Sequence, residues 1–118
     1  MKQCFWKFSL IAFAGMILTG PLSAADAVKG KEVYEKKCAM CHAKDLTGNP
    51  AMAKLFKIDP SALSLVKKET LDKKDADLIL ITAKGQGKMA AQEGKLSADD
   101  IANSIAYIRS AAAPAPGK

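Results

Sequence analysis

The chain is poor in the residues from which most metal and catalytic sites are built. Among its 118 residues there is one histidine, His42, and three cysteines, so neither a second Cys pair nor a His pair exists to complete a zinc tetrahedron. Aromatic side chains make up only 6% of the chain. No basic cluster is interleaved with them, which argues against a base-stacking nucleic-acid surface. Strand-like alternation and internal repeats are also missing, and the chain reads as all-α. Its longest apolar run, Phe8 to Leu18, is broken by Ser9 and Gly15. That run falls short of the roughly 20 residues a membrane-spanning helix needs.

The beginning of the chain has the composition of an address. Lys2 and Lys7 precede the short apolar run, and Ser23-Ala24-Ala25 and Ala25-Asp26-Ala27 both fit a small-x-small cleavage pattern. Residues 1–25 are therefore expected to be a cleavable secretory signal, with cleavage after Ala25 or Ala27. The mature protein is expected in the periplasm without stable membrane insertion. Cys4 lies ahead of the apolar core and leaves with the signal. Without Lys2 and Lys7 the 18 basic residues fall to 16 against 12 acidic ones, a net charge of +4. Residues 26–110 are expected to form one small domain, and residues 111–118, rich in Ala and Pro, a flexible tail.

Two cysteines remain, and they stand in the run Cys38-Ala39-Met40-Cys41-His42. C-x-x-C-H is the attachment pattern of a c-type haem. Two thiols three residues apart on a helical turn face the same way, so each can form a thioether to one vinyl group. The next residue then offers a neutral imidazole nitrogen to the iron. The competing reading is a thioredoxin-like dithiol, which needs a strand leading into the motif. Gly30 to Lys37 reads as helix instead, and that alternative leaves His42 unused. A domain this small buries little core, and a covalent porphyrin would staple it.

Local signals place the elements. Asp26 caps a helix from Ala27 to Lys37, with Val33 and Tyr34 inward. Thr47-Gly48-Asn49-Pro50 is a turn, followed by a short helix over Ala51–Phe56, and Asp59-Pro60-Ser61 opens another helical turn. Leu71–Lys84 reads as one helix capped by Asp72, with Leu78, Ile79, Ile81 and Thr82 on its apolar side. It ends at Gly85-Gln86-Gly87. Ser97 caps the last helix, which carries Asp99 and Asp100 in its first turn and Arg109 in its last. Ile101, Ile105 and Ile108 repeat along one stripe, with Tyr107 alongside.

With no second histidine, the partner ligand on the far side of a haem is sought among the methionines Met40, Met52 and Met89. Met40 is inside the attachment loop, and Met52 is only ten residues past His42 in a helical stretch. Met89 follows a helix end, among the small residues Gly87, Ala90 and Ala91, in a loop able to approach a porphyrin.

These residues, with Leu96-Ser97-Ala98-Asp99-Asp100-Ile101 and Ala106-Tyr107-Ile108-Arg109, resemble the small bacterial class I cytochromes c over essentially the whole mature chain. The resemblance implies three to five short helices around one covalently bound haem c, with iron held by His42 and Met89. It implies a tight crossing of the first and last helices, with Gly30 and Tyr34 on one and Ile105 and Tyr107 on the other. It also implies that the carbonyl of Pro50 accepts from the second ring nitrogen of His42. Two departures are visible: Met89 is followed by Ala90 where the family often has Pro, and the mature chain has no tryptophan.

The expected function is one-electron transfer between redox partner proteins, without enzymatic activity. A dedicated cytochrome subunit of a larger redox enzyme is the alternative, and a haem sensor with a displaceable Met89 is a third. A ring of Lys44, Lys54, Lys57, Lys84, Lys88 and Lys95 would steer the protein to an acidic dock.

Overall fold

A computed structural model describes residues 24–114. The expected signal, 1–25, lies almost wholly outside the described residues, as does the end of the expected tail. Helix α1, Ala27–Lys37, starts where Asp26 accepts hydrogen bonds from the amides of Val28 (2.9 Å) and Lys29 (3.2 Å). One-turn helix α2, Ala39–His42, follows directly, then α3, Pro50–Phe56, a 3₁₀ turn at Pro60–Leu63 and one-turn helix α4, Lys68–Leu71. Helices α5, Asp75–Lys84, and α6, Ala98–Ala112, complete the described chain. The count exceeds the expected three to five because α2 and α4 are single turns of four residues. Among the described residues, no helix is long and apolar enough to cross a membrane.

The frame is the crossing of α1 on α6. Ser97 and Asp100 form a reciprocal capping box at the start of α6. Ile101, Ser104, Ile105 and Ile108 are buried along its inner stripe. Gly30 is what lets α1 reach that stripe: a Cβ there would lie 1.8 Å from the carbonyl oxygen of Asn103. One turn on, the rings of Tyr34 and Tyr107 meet at 5.3 Å in a tilted arrangement. Tyr34, Leu46, Leu78, Ile105 and Ile108 make the central cluster. At about 1.5–3 kcal/mol for each fully buried large apolar side chain, so few residues give a small core.

The single helix expected over Leu71–Lys84 is broken. Asp72 does not cap it; it follows α4 and pairs with Lys68 (2.6 Å), and α5 begins only after Lys74. The cause is Arg109, which donates to the Asp75 carboxylate (2.9 Å), to the Leu71 carbonyl (2.6 Å) and to the Lys73 carbonyl. Leu71 and Lys73 carbonyls in a continuous helix would accept from the amides of residues 75 and 77. Here they turn toward the guanidinium, and the Asp77 amide bonds Lys74 instead. The tail also starts later than expected, because α6 keeps Ala111 and Ala112 and stops short of Pro114.

Candidate haem site

Helix α1 runs into the motif: Cys38 ends it and opens α2, and its carbonyl accepts from the amides of Cys41 (3.1 Å) and His42 (3.0 Å). The chain then doubles back through three residues of positive φ, Ala43 (61°), Leu46 (68°) and Gly48 (94°). The returning loop satisfies carbonyls that a one-turn helix leaves open. Gly48 N–H donates to His42 O (2.9 Å) and Asn49 N–H to Cys41 O (2.9 Å). The Asn49 side chain donates to Met40 O (2.8 Å) and accepts from Ala51 N–H to cap α3. Cys38 and Cys41 are not joined to each other. Burial, with Cys41 adding to it, pushes the Cys38 thiol up to about 11.

His42 Nδ1–H donates to the backbone carbonyl of Leu63 at 2.7 Å. This replaces the expected Pro50 contact. Pro50 is instead the exposed first residue of α3, where its missing N–H costs nothing. Leu63 ends a 3₁₀ turn that Asp59 caps through Ser61 N–H (2.8 Å). Burial lowers the basicity of the imidazole, and the Leu63 carbonyl acts in the opposite direction. The ring is thus neutral near pH 7, with its proton on Nδ1 and the Nε2 lone pair available to a metal.

Cys38, Cys41, His42 and Met89 all border one cleft of about 740 Å³, whose walls include Phe56, Leu63, Leu78, Ile81, Ile105 and Ile108. Met89 arrives on a loop folded against the end of α5. Gln86 and Met89 exchange backbone hydrogen bonds (3.0 and 2.9 Å), and the amides of Gln92 and Glu93 bond the Thr82 and Ala83 carbonyls. Gly85 makes the fold-back possible, since a Cβ there would sit 2.6 Å from Met89 O and 2.7 Å from Ala91 N. Met52 does not border the cleft; Met40 does, but it is 69% exposed and lies between the two cysteines.

The cytochrome c family model matches residues 27–112, from the first residue of α1 to the last of α6. The chain belongs to the cytochrome c family. It is 40% identical over 92 residues to cytochrome c6 of Picosynechococcus, covering 75% of each chain. It is 33% identical over 103 residues to cytochrome c6 of Rippkaea orientalis, covering 86% of this chain and 85% of that one. The crystal structure of cytochrome c6 from the diatom Phaeodactylum tricornutum superposes with a TM-score of 0.58 at 28% identity, covering 74% of this chain and 94% of that one. As a member of this family the protein is a monohaem electron carrier, not an enzyme, with one covalently bound haem c and redox proteins as partners.

The cleft of this cytochrome suits that group: two thiols, a neutral imidazole and a thioether border it, and the rest of its walls are largely apolar. Sequence reasoning missed Leu63, because a backbone carbonyl has no side-chain signature. Of the six lysines expected around the haem, only Lys88 borders the cleft; Lys37, Lys67 and Lys73 are the others that do. Lys84 is instead paired with Glu93 (2.8 Å).

Proposed function

We propose that this cytochrome is an exported, diffusible carrier whose haem is joined to Cys38 and Cys41 and ligated by His42 and Met89. The observation that carries the reading is the placing of Met89 and the Nδ1-anchored His42 on one apolar cleft. When bound, the haem supplies the one-electron couple. His42 and Met89 would both hold the iron, which would leave no open site for substrate or oxygen. A methionine ligand favours the reduced state relative to a second histidine. The apolar residues Leu78, Ile81 and Ile105 disfavour the additional charge of the ferric state and act in the same direction. A high potential follows.

Two features support the remaining parts of the proposal. Asp26 both caps α1 and donates its backbone N–H to Asn103 Oδ1 (2.7 Å). Cleavage after Ala25 keeps both contacts, whereas cleavage after Ala27 removes them. Four lysines, Lys37, Lys67, Lys73 and Lys88, border the cleft beside a single acid, Glu69. That excess favours an acidic partner surface, with association that weakens as salt rises.

The test is visible and near-infrared absorption of the oxidised and reduced protein, exported together with a haem-attachment system. Low-spin bands and the weak ferric charge-transfer band of sulfur ligation are expected, and Met89→Ala abolishes the latter. A high-spin spectrum in the unmodified protein, or survival of the sulfur band in Met89→Ala, overturns the assignment.

A further inference from the structure

Tyr34 is fully buried in the central cluster, where the ring alone would fill the space and a phenylalanine would serve as well. Its hydroxyl needs a separate explanation, since a buried hydroxyl is unfavourable without a partner. The partner is specific: Tyr34 O–H donates to the carbonyl of Ala43 at 2.7 Å.

Ala43 is the residue immediately after His42, and its backbone is at φ 61°, ψ 160°. That region is essentially reserved for glycine, and a side chain there persists only where the surroundings over-determine it. Three contacts hold it. Ala43 N–H donates to Ala39 O (2.9 Å), and Ala43 O accepts from Leu46 N–H (3.2 Å) and from the shorter Tyr34 hydroxyl bond. The first two are local to the turn. Only the third ties the strained peptide to α1, and it does so across the attachment motif. Tyr34 stands four residues before Cys38 and Ala43 one residue after His42, so the bond closes a ring around the five motif residues.

We infer that the Tyr34 hydroxyl is a positioning group for His42, acting through the Ala43 peptide rather than through the core in which the ring packs. The Ala43 carbonyl direction fixes where the loop leaves the histidine. That loop then returns to His42 O through Gly48, while the ring is anchored at Leu63. Burial, with Cys38, Tyr107 and Asp45 adding to it, holds the phenol well above its usual range, so it remains a donor across neutral and moderately alkaline pH. The inference rests on the reading of His42 as an iron ligand.

The test uses the haem-loaded, processed protein and its Tyr34→Phe, Ala43→Gly and doubly substituted forms. The readout is solvent exchange of the His42 Nδ1 proton, followed by NMR, together with the melting temperature. Tyr34→Phe should speed that exchange about threefold to tenfold, the range expected for losing one buried hydrogen bond. Ala43→Gly in the same chain should remove at least half of the increase, because glycine adopts the dihedral without restraint. A melting temperature that falls while Nδ1 exchange stays unchanged overturns the inference, and so does an absence of rescue by Ala43→Gly. Should Tyr34→Phe fail to fold around haem, the double variant must restore folding; failure there also overturns it. Failure of His42 ligation itself would appear differently, as the absence of haem-shifted histidine signals in the unsubstituted protein.

Discussion

Replacing Gly85 by alanine should loosen Met89 while leaving the α1–α6 frame intact. Gly85 has φ 80° and ψ 165°, a glycine-only conformation. An added Cβ would meet two backbone atoms, Met89 O at 2.6 Å and Ala91 N at 2.7 Å. Ordinary contact begins at 3.4 Å, so the loop would have to retreat by about 0.8 Å. The dihedral alone costs about 1–3 kcal/mol. That cost falls on the state in which the loop is folded against α5, because an opened loop lets residue 85 relax. It corresponds to about a 5- to 150-fold rise in the open population. On the proposed ligation, imidazole would bind the ferric iron only when Met89 leaves, so its apparent Kd should fall by that factor. The assay is an imidazole titration followed by loss of the sulfur–iron band. Gly87→Ala is the control: φ is 57° there and a Cβ meets nothing within 4 Å, so only a left-handed cost of about 1–2 kcal/mol applies. If imidazole binds Gly85→Ala no more tightly than Gly87→Ala, the clash with the Met89 peptide does not hold the ligand loop.

Three further outcomes are expected. Gly30→Ala puts a Cβ 1.8 Å from Asn103 O; overpacking of about 3 kcal/mol, offset by about 1 kcal/mol of helix propensity, should lower Tm by roughly 8–16 °C. An unchanged Tm would show that α1 and α6 are not in backbone contact there. His42 is the only histidine and burial depresses its pKa below 6.5, so its stabilising contribution is complete above 6.5 and declines as pH falls, the unfolded chain binding the proton first. Urea midpoints at pH 7.5 and 5.0 should therefore differ, with less stability at pH 5.0; the depressed carboxylates Asp45 and Asp59 act only below their usual value of 3.8. Finally, Cys38→Ala/Cys41→Ala protein without haem should lack a cooperative thermal transition by circular dichroism. Native-like melting of that variant would show that the eight apolar residues buried among the described ones suffice without the haem.

Those residues also show what was legible in the sequence. The caps of α1 and α6, the inner stripe of α6 and the glycine punctuation before Met89 depend on neighbours within one or two turns, and the structure has them where the pattern puts them. The break between α4 and α5 was not legible, because Arg109, 34 residues beyond Asp75, imposes it. In sequence, Arg109 reads only as a favourable charge in a last helical turn. The Leu63 carbonyl, 21 residues from His42, is likewise a product of where a 3₁₀ turn lands. The lysines beside the cleft divide the same way: Lys67 and Lys73 reach it only through the fold, whereas Lys37 borders it because it directly precedes Cys38.

The two sides of the cleft are built to different standards, and the difference bears on function. On the His42 side, the carbonyls of Cys38, Ala39, Met40, Cys41, His42 and Ala43 all accept hydrogen bonds, and the imidazole is pinned to Leu63. On the Met89 side, the loop holds its own shape through the pair of bonds between Gln86 and Met89 and one from the Gln92 side chain to Ala90 O. Its ties to α5 are the amides of Gln92 and Glu93 and an exposed Lys84–Glu93 pair, and an exposed pair adds less than about 1 kcal/mol. Two of its residues, Gly85 and Gly87, are at positive φ, and no proline follows Met89 to stiffen it. Any stress, whether heat, denaturant or a competing ligand, should therefore release Met89 before His42. A histidine side held this tightly would keep one geometry through oxidation and reduction, as a carrier requires. With Met89 as the proposed ligand, the methionine side would set how long the iron stays closed to other ligands, and hence how strictly this cytochrome remains a carrier.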